Sequence, residues 1–102
     1  MKHMVSYKLK PDCVAENERP VKAAFEALRK ANPPGLHYAT FKQGDGLSFV
    51  HIVAYDEGVG NGALTGLPEF KAFAEGIKQR CETPPVRVDL MEIGSHGFFS
   101  GR

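Results

Sequence analysis

The sequence predicts an α+β fold with the element order strand, helix, strand, strand, helix, strand. Three observations carry that prediction. Residues 4–9, 36–43, 47–55 and 86–91 change face from one residue to the next, the period of an extended strand. Residues 14–28 and 67–81 repeat apolar side chains at spacings of three, four and seven, the stripe of an amphipathic helix. Between these segments stand the breakers Lys10-Pro11-Asp12, Asn32-Pro33-Pro34-Gly35, Gly44-Asp45-Gly46 and Thr83-Pro84-Pro85.

In the first strand Val5, Tyr7 and Leu9 face one way, and Met4, Ser6 and Lys8 the other. Pro11 ends it, having no amide to give to a ladder. The first helix has its stripe at Val14, Val21, Phe25 and Leu28, helped by the helix-favouring Ala23, Ala24 and Ala27. Pro20 sets a condition, because a proline deep in a helix removes a hydrogen bond and crowds the preceding turn. A helix capped by Asn17 would hold Pro20 harmlessly in its first turn. Otherwise a kink or a separate first turn is expected near Pro20. Leu36, Tyr38 and Thr40 then alternate with His37, Ala39 and Phe41, and Gly44-Asp45-Gly46 signals a tight hairpin. In the third strand Phe49, His51, Val53 and Tyr55 share one face, and Val50, Ile52 and Ala54 the other. Both faces are largely apolar, which predicts a central strand. Residues 56–66, with Gly58, Gly60, Gly62 and Gly66, are expected to form a loop. The second helix, from about Leu67 to Cys81, has Pro68 in its first turn and a stripe at Leu67, Phe70, Phe73, Ala74 and Ile77. In the last strand Val86, Val88 and Leu90 alternate with Arg87, Asp89 and Met91 on the way to Ile93. This order is that of the ferredoxin-like βαββαβ fold, a four-stranded antiparallel sheet with two helices on one face.

The length, 102 residues, suits one domain over residues 1–102. Apolar residues make up 42% and charged residues 25%, so a packed core is expected rather than disorder. A net charge of +1 with no basic tract argues against nucleic acid as a partner. The apolar runs are too short to span a bilayer, and Met1-Lys2-His3-Met4 runs into a strand with no apolar signal region. Cys13 and Cys81 alone make no disulfide framework, and a reducing cytoplasm is the expected compartment. His3, His37, His51 and His96 are scattered and no metal site is expected. The glycines at 58, 60 and 62 lack the Lys-Ser/Thr of a phosphate loop, and read as a lid or a long connection.

Two helices with one apolar stripe each cover only one face of the sheet. The other face keeps apolar residues, either Phe49, Val53 and Tyr55 or Val50, Ile52 and Ala54, and so predicts a homodimer through that open face. Phe98 and Phe99, unusual near a chain end, are expected to pack against the partner or across the end of the barrel.

Val5-Ser6-Tyr7-Lys8-Leu9-Lys10-Pro11, Leu67-Pro68-Glu69-Phe70-Lys71-Ala72-Phe73 and Met91-Glu92-Ile93-Gly94-Ser95-His96-Gly97-Phe98 resemble the dimeric α/β-barrel superfamily. That superfamily includes the antibiotic-biosynthesis monooxygenase-like and stress-responsive A/B-barrel proteins. The resemblance implies two opposed sheets with a pocket in each subunit, and a range of activities from cofactor-independent oxygenases to haem degraders. The oxygenases acting on aromatic polyketides use Asn, Trp, Arg and Tyr around the pocket, and the haem degraders Asn, Trp and His. This chain has no Trp, so neither set transfers and the resemblance assigns no catalytic residue.

The residues themselves offer His51, mid-strand among Phe49, Val53 and Tyr55, as acid, base or ligand near neutral pH. The competing reading is an imidazole satisfied by a neighbouring strand. Tyr7, Tyr38, Phe49 and Tyr55 are the candidate substrate-binding residues, although large strand aromatics also simply fill cores. Arg87 and Asp89 form either a polar site or a wetted rim. Cys13, near a helix start, is either a reactive thiolate or inert. The function expected is a small cofactor-independent monooxygenase acting on an aromatic or quinol-type molecule. Its alternatives are a non-catalytic homodimer that binds a small hydrophobic ligand or serves as a structural module, and, third, a haem binder through His51.

Overall fold

The computed structural model describes residues 1–98 of the 102. The strands are β1 (Lys2–Leu9), β2 (Leu36–Lys42), β3 (Ser48–Tyr55) and β4 (Cys81–Leu90), joined in one antiparallel sheet of order β2-β3-β1-β4. The helices are α1 (Val14–Ala31), a short α2 (Gly62–Thr65) and α3 (Pro68–Arg80). A 3-10 turn over Pro11–Cys13 leads into α1. No helix among the described residues is long and apolar enough to cross a membrane.

The predicted order holds, and β3 is central as its two apolar faces require. Register settles which face the helices cover. His3, Val5 and Tyr7 stand opposite Val53, His51 and Phe49, and this face packs against Val21 of α1 and Phe73 and Ile77 of α3. Fully burying a side chain of this size contributes about 1.5–3 kcal/mol. A second cluster joins Val53 and Tyr55 to Leu64, with Leu36, Tyr38 and Phe70 packed around it. Leu64 explains why residues 56–66 are more than a loop: α2 is the turn that delivers it to the core. The open face is therefore the one with Val50 and Ile52. Its rim exposes Phe41 and Val86, at 51% and 56%, with Val88 and Leu90 beside them. Phe98 lies over the β2–β3 end of this face, beside Phe41 and Ile52. Phe99 lies outside the described residues.

Two local expectations fail for tertiary reasons. α1 is one helix from Val14 past Pro20 with no separate first turn there, and Asn17 is no cap: it is a fully buried residue in the helix. β4 begins directly after α3 and includes Pro84 and Pro85. It can do so because it is an edge strand with a bulge there: Ser6 pairs with Val86 and Lys8 with Thr83, so the prolines fall where the ladder slips. At the β2–β3 hairpin Asp45 accepts from the Leu47 and Ser48 amides and the Ser48 hydroxyl, and Gly46 takes a positive φ of 74°.

Candidate functional site

His51 on β3 stands directly opposite Val5 of β1 and Thr40 of β2. The residues one pleat further along those strands, Tyr7 and Tyr38, lie on the diagonals, within reach of long side chains. The Tyr7 hydroxyl is 2.8 Å from His51 Nε2. The Tyr38 hydroxyl is 2.7 Å and Thr40 Oγ1 3.0 Å from His51 Nδ1. Two groups arrive from the helices. Asn17 Nδ2 of α1 donates to the Tyr7 oxygen at 3.0 Å. Arg80 Nε, in the last turn of α3, donates to Asn17 Oδ1 at 3.0 Å, and its Nη2 donates to the Phe73 carbonyl at 2.8 Å. Phe73 also closes over the imidazole, with ring centres 5.2 Å apart.

This enclosure governs the charges. Burial drives the His51 imidazole down to about 4, so it is neutral at pH 7. Burial pushes the Tyr38 phenol up to about 12 and the Tyr7 phenol well above its usual range, so both keep their protons.

A cavity of about 390 Å³ opens between the sheet and α2 and α3. Its walls include Val5, Val53, Phe70, Phe73 and Ile77; its polar groups include Tyr7, Tyr38, His51, Tyr55, Asn61 and Arg87. Size and lining suit a small, largely apolar molecule held by a few polar contacts. Of the residues predicted from sequence, His51, Tyr7, Tyr38 and Tyr55 line it. Phe49 shares their face but is not among the lining residues; it stacks on Tyr7, centres 5.6 Å apart and 3° from parallel. Arg87 lines the cavity on the β4 side, with the exposed Asp89 3.6 Å away. His3 lines it too, and its buried Nδ1 has no hydrogen-bond partner. His37 points to the other face, where Asp56 lies 3.0 Å from it.

Asn17, Thr40 and Arg80 were missed by the sequence reading. Two of them left a signal. Asn17 falls on the α1 stripe between Val14 and Val21, and Arg80 falls one step after Phe73 and Ile77 on the α3 stripe. A polar residue on an apolar stripe must find a buried partner.

No protein-family model and no curated protein sequence matches this chain. Solved structures do. A Nitrosomonas europaea protein provisionally named an antibiotic biosynthesis monooxygenase superposes with a TM-score of 0.73 at 15% identity, over 90% of this chain and 88% of its own. A Mycobacterium tuberculosis protein gives 0.71 at 16% identity, over 92% and 95%. A second provisionally named monooxygenase, from Caulobacter crescentus, gives 0.61 at 23% identity, over 89% of each chain. The chain has the ferredoxin-like fold of the antibiotic biosynthesis monooxygenase-like proteins. At these identities the likeness speaks for the fold.

Within this fold, the cysteines are quiet. Burial and the neighbouring Asp12 carboxylate push the Cys13 thiol up, and burial pushes Cys81 up, the opposite of an activated thiolate. No group of three or more His, Cys, Asp or Glu among the described residues could hold a metal ion. Both His51 nitrogens are already engaged, so an axial haem contact would require breaking a buried hydrogen bond.

Proposed function

We propose that this protein is a small monooxygenase-like oxidoreductase that binds an aromatic or quinol-type molecule in the cavity and oxidises it with dioxygen, without metal or flavin. The observation that carries the reading is the meeting of Tyr7, His51 and Tyr38, in one hydrogen-bonded group, on a largely apolar cavity of about 390 Å³. The names of its structural neighbours point the same way. His51 takes a proton from an acidic C–H of the substrate by way of the Tyr7 phenol beside Nε2. The resulting carbanion reduces dioxygen to a hydroperoxide, which loses water to leave a carbonyl. One oxygen atom stays in the product and the other leaves as water, so the CH2 carbon supplies all four electrons. The apolar open face supports a homodimer, and the two unpaired cysteines suit a reducing cytoplasm.

A non-catalytic ligand-binding dimer is the second reading. It is favoured by the saturation of both His51 nitrogens and by the low basicity that burial imposes on the ring. Haem binding through His51 ranks third for the same reason. Oxygen uptake with anthrone as the probe separates the first two. The oxidase reading expects one O2 consumed per anthraquinone formed, with the rate falling about a hundredfold or more in His51→Phe, the weight of one general-base contribution. Anthrone that quenches or stabilises the protein without oxygen uptake above buffer leaves the binder. If anthrone neither binds nor reacts, the aromatic-ligand reading goes.

A further inference from the structure

Arg80 is a buried cation that takes part in none of the ion pairs found among the described residues. Three features make its position tolerable. It sits in the last turn of α3, where the helix dipole favours positive charge. The Phe73 ring lies 5.6 Å from its guanidinium carbon. Gly76 leaves room for it, since a Cβ there would run into Arg80 Nη1.

The consequence is directional. A guanidinium only donates, so Asn17 must turn its carbonyl oxygen to Arg80 and its amide protons to Tyr7. The Tyr7 oxygen therefore accepts, and its own proton is left for His51 Nε2. A neutral imidazole that accepts at Nε2 carries its proton on Nδ1. That proton goes to the Tyr38 oxygen at 2.7 Å, with Thr40 at 3.0 Å alongside. The Tyr38 oxygen is thus the acceptor in this pair, and its own O–H remains to serve the cavity that Tyr38 lines.

We infer that Arg80, acting through Asn17, holds the hydrogen-bond chain Arg80–Asn17–Tyr7–His51–Tyr38 in one direction, so that Tyr38 donates to a carbonyl or phenolate oxygen of the ligand and a ligand proton enters by Tyr7. The inference deepens the proposed function and rests on it for what occupies the cavity, but its direction is measurable with no ligand present. Arg80 and Asn17 are positioning residues in this scheme. In the transfer step the ligand proton bonds to the Tyr7 oxygen as the Tyr7 proton passes to Nε2. His51 becomes an imidazolium with N–H at both nitrogens. The ligand becomes an anion, with its acceptor oxygen on Tyr38. Charge and protons balance within the site.

Long-range 1H–15N correlation spectra of the full chain read the tautomer directly, with His51 assigned by its loss in His51→Phe. The expected state is Nδ1–H with a bare Nε2; an Nε2–H ring overturns the inference in the unmodified protein. Asn17→Asp is the sharper test. A carboxylate has no proton to give Tyr7, so one oxygen pairs with Arg80 and the other accepts the Tyr7 proton. Nε2 must then donate, and the tautomer inverts. A folded Asn17→Asp protein that keeps Nδ1–H overturns the role of Asn17. Gly76→Ala, which lies outside the cavity wall, provides a second route: by displacing Arg80 it should yield a mixture of tautomers, and a pure Nδ1–H ring would remove Arg80 from the scheme. The donor end is read with 2-acetylnaphthalene against 2-isopropenylnaphthalene, alike in shape but not in acceptor oxygen. The ketone should bind about tenfold tighter to the wild type, and the preference should vanish in Tyr38→Phe. Equal affinity of both probes for the wild type overturns the donor assignment. Loss of anthrone oxidation with the tautomer as expected would sink the oxidase reading and leave this one standing.

Discussion

Tyr7 and His51 are not paired across β1 and β3; Val5 is opposite His51 and Phe49 opposite Tyr7, yet the phenol reaches diagonally to within 2.8 Å of Nε2. That diagonal bond makes His51 both a structural residue and a cavity residue. The two readings of a buried strand histidine are therefore not exclusive here. Replacing it removes the acceptor of Tyr7 and the donor to Tyr38 and Thr40 at once, leaving the buried Tyr7 O–H without its acceptor. His51→Phe should lower unfolding stability by about 1–3 kcal/mol, measured by urea titration, and should also weaken binding of 2-acetylnaphthalene. Unchanged affinity with lowered stability would confine His51 to a structural role.

The pH dependence follows from the same burial. The folded-state pKa of His51 is lowered to about 4 from an ordinary 6.5. Between those values the unfolded chain binds a proton that the folded chain refuses. The stability contributed by the neutral ring is full above pH 6.5, falls as pH drops towards 4, and changes little further below it. The total loss is on the order of 3 kcal/mol. His3, also lowered by burial and by Arg87, adds to it in the same direction. Urea midpoints between pH 7 and pH 4 should show this slope in the wild type and a shallower one in His51→Phe. Parallel slopes would mean that His51 titrates normally.

Opposite faces of the sheet should respond differently to a buried charge. Val53 is 3% exposed beneath Leu64, so Val53→Asp should unfold the monomer itself. Val88 lies on the open face at 45% exposure. Val88→Asp should keep its circular dichroism spectrum but abolish self-association, if the open faces meet over roughly 800 Å² per subunit. Light scattering at micromolar concentration measures this. A wild-type monomer would rule out the dimer.

Pro20 interrupts the hydrogen bonding of α1 without breaking the helix. Pro20→Ala restores an amide at that turn and relieves the ring's crowding of the preceding one. It should raise the melting temperature, with a gain of about 1–3 kcal/mol at the denaturant midpoint. A fall in stability would mean that the ring's packing against its neighbours outweighs the missing bond.

The sequence by itself determined the element order, the central position of β3 and the apolar stripes of α1 and α3. Each of these depends on a period of two or of about 3.6, which local chain geometry imposes wherever the residues stand. His51, Tyr7, Tyr38 and Tyr55 were legible as a group for the same reason: alternation puts them on strand faces that can coincide. Tertiary structure decided the rest. Only register tells that Phe49, His51, Val53 and Tyr55 lie under the helices while Val50 and Ile52 lie open, because a strand apolar on both faces carries no preference of its own. Edge position decided that Pro84 and Pro85 could sit in β4, since an edge leaves one row of amides without partners. The link from Arg80 to Asn17 joins residues 63 positions apart. Their polarity on apolar stripes announced that each needed a partner, but a spacing along the chain cannot say which; packing α1 against α3 over the β1–β3 pair did.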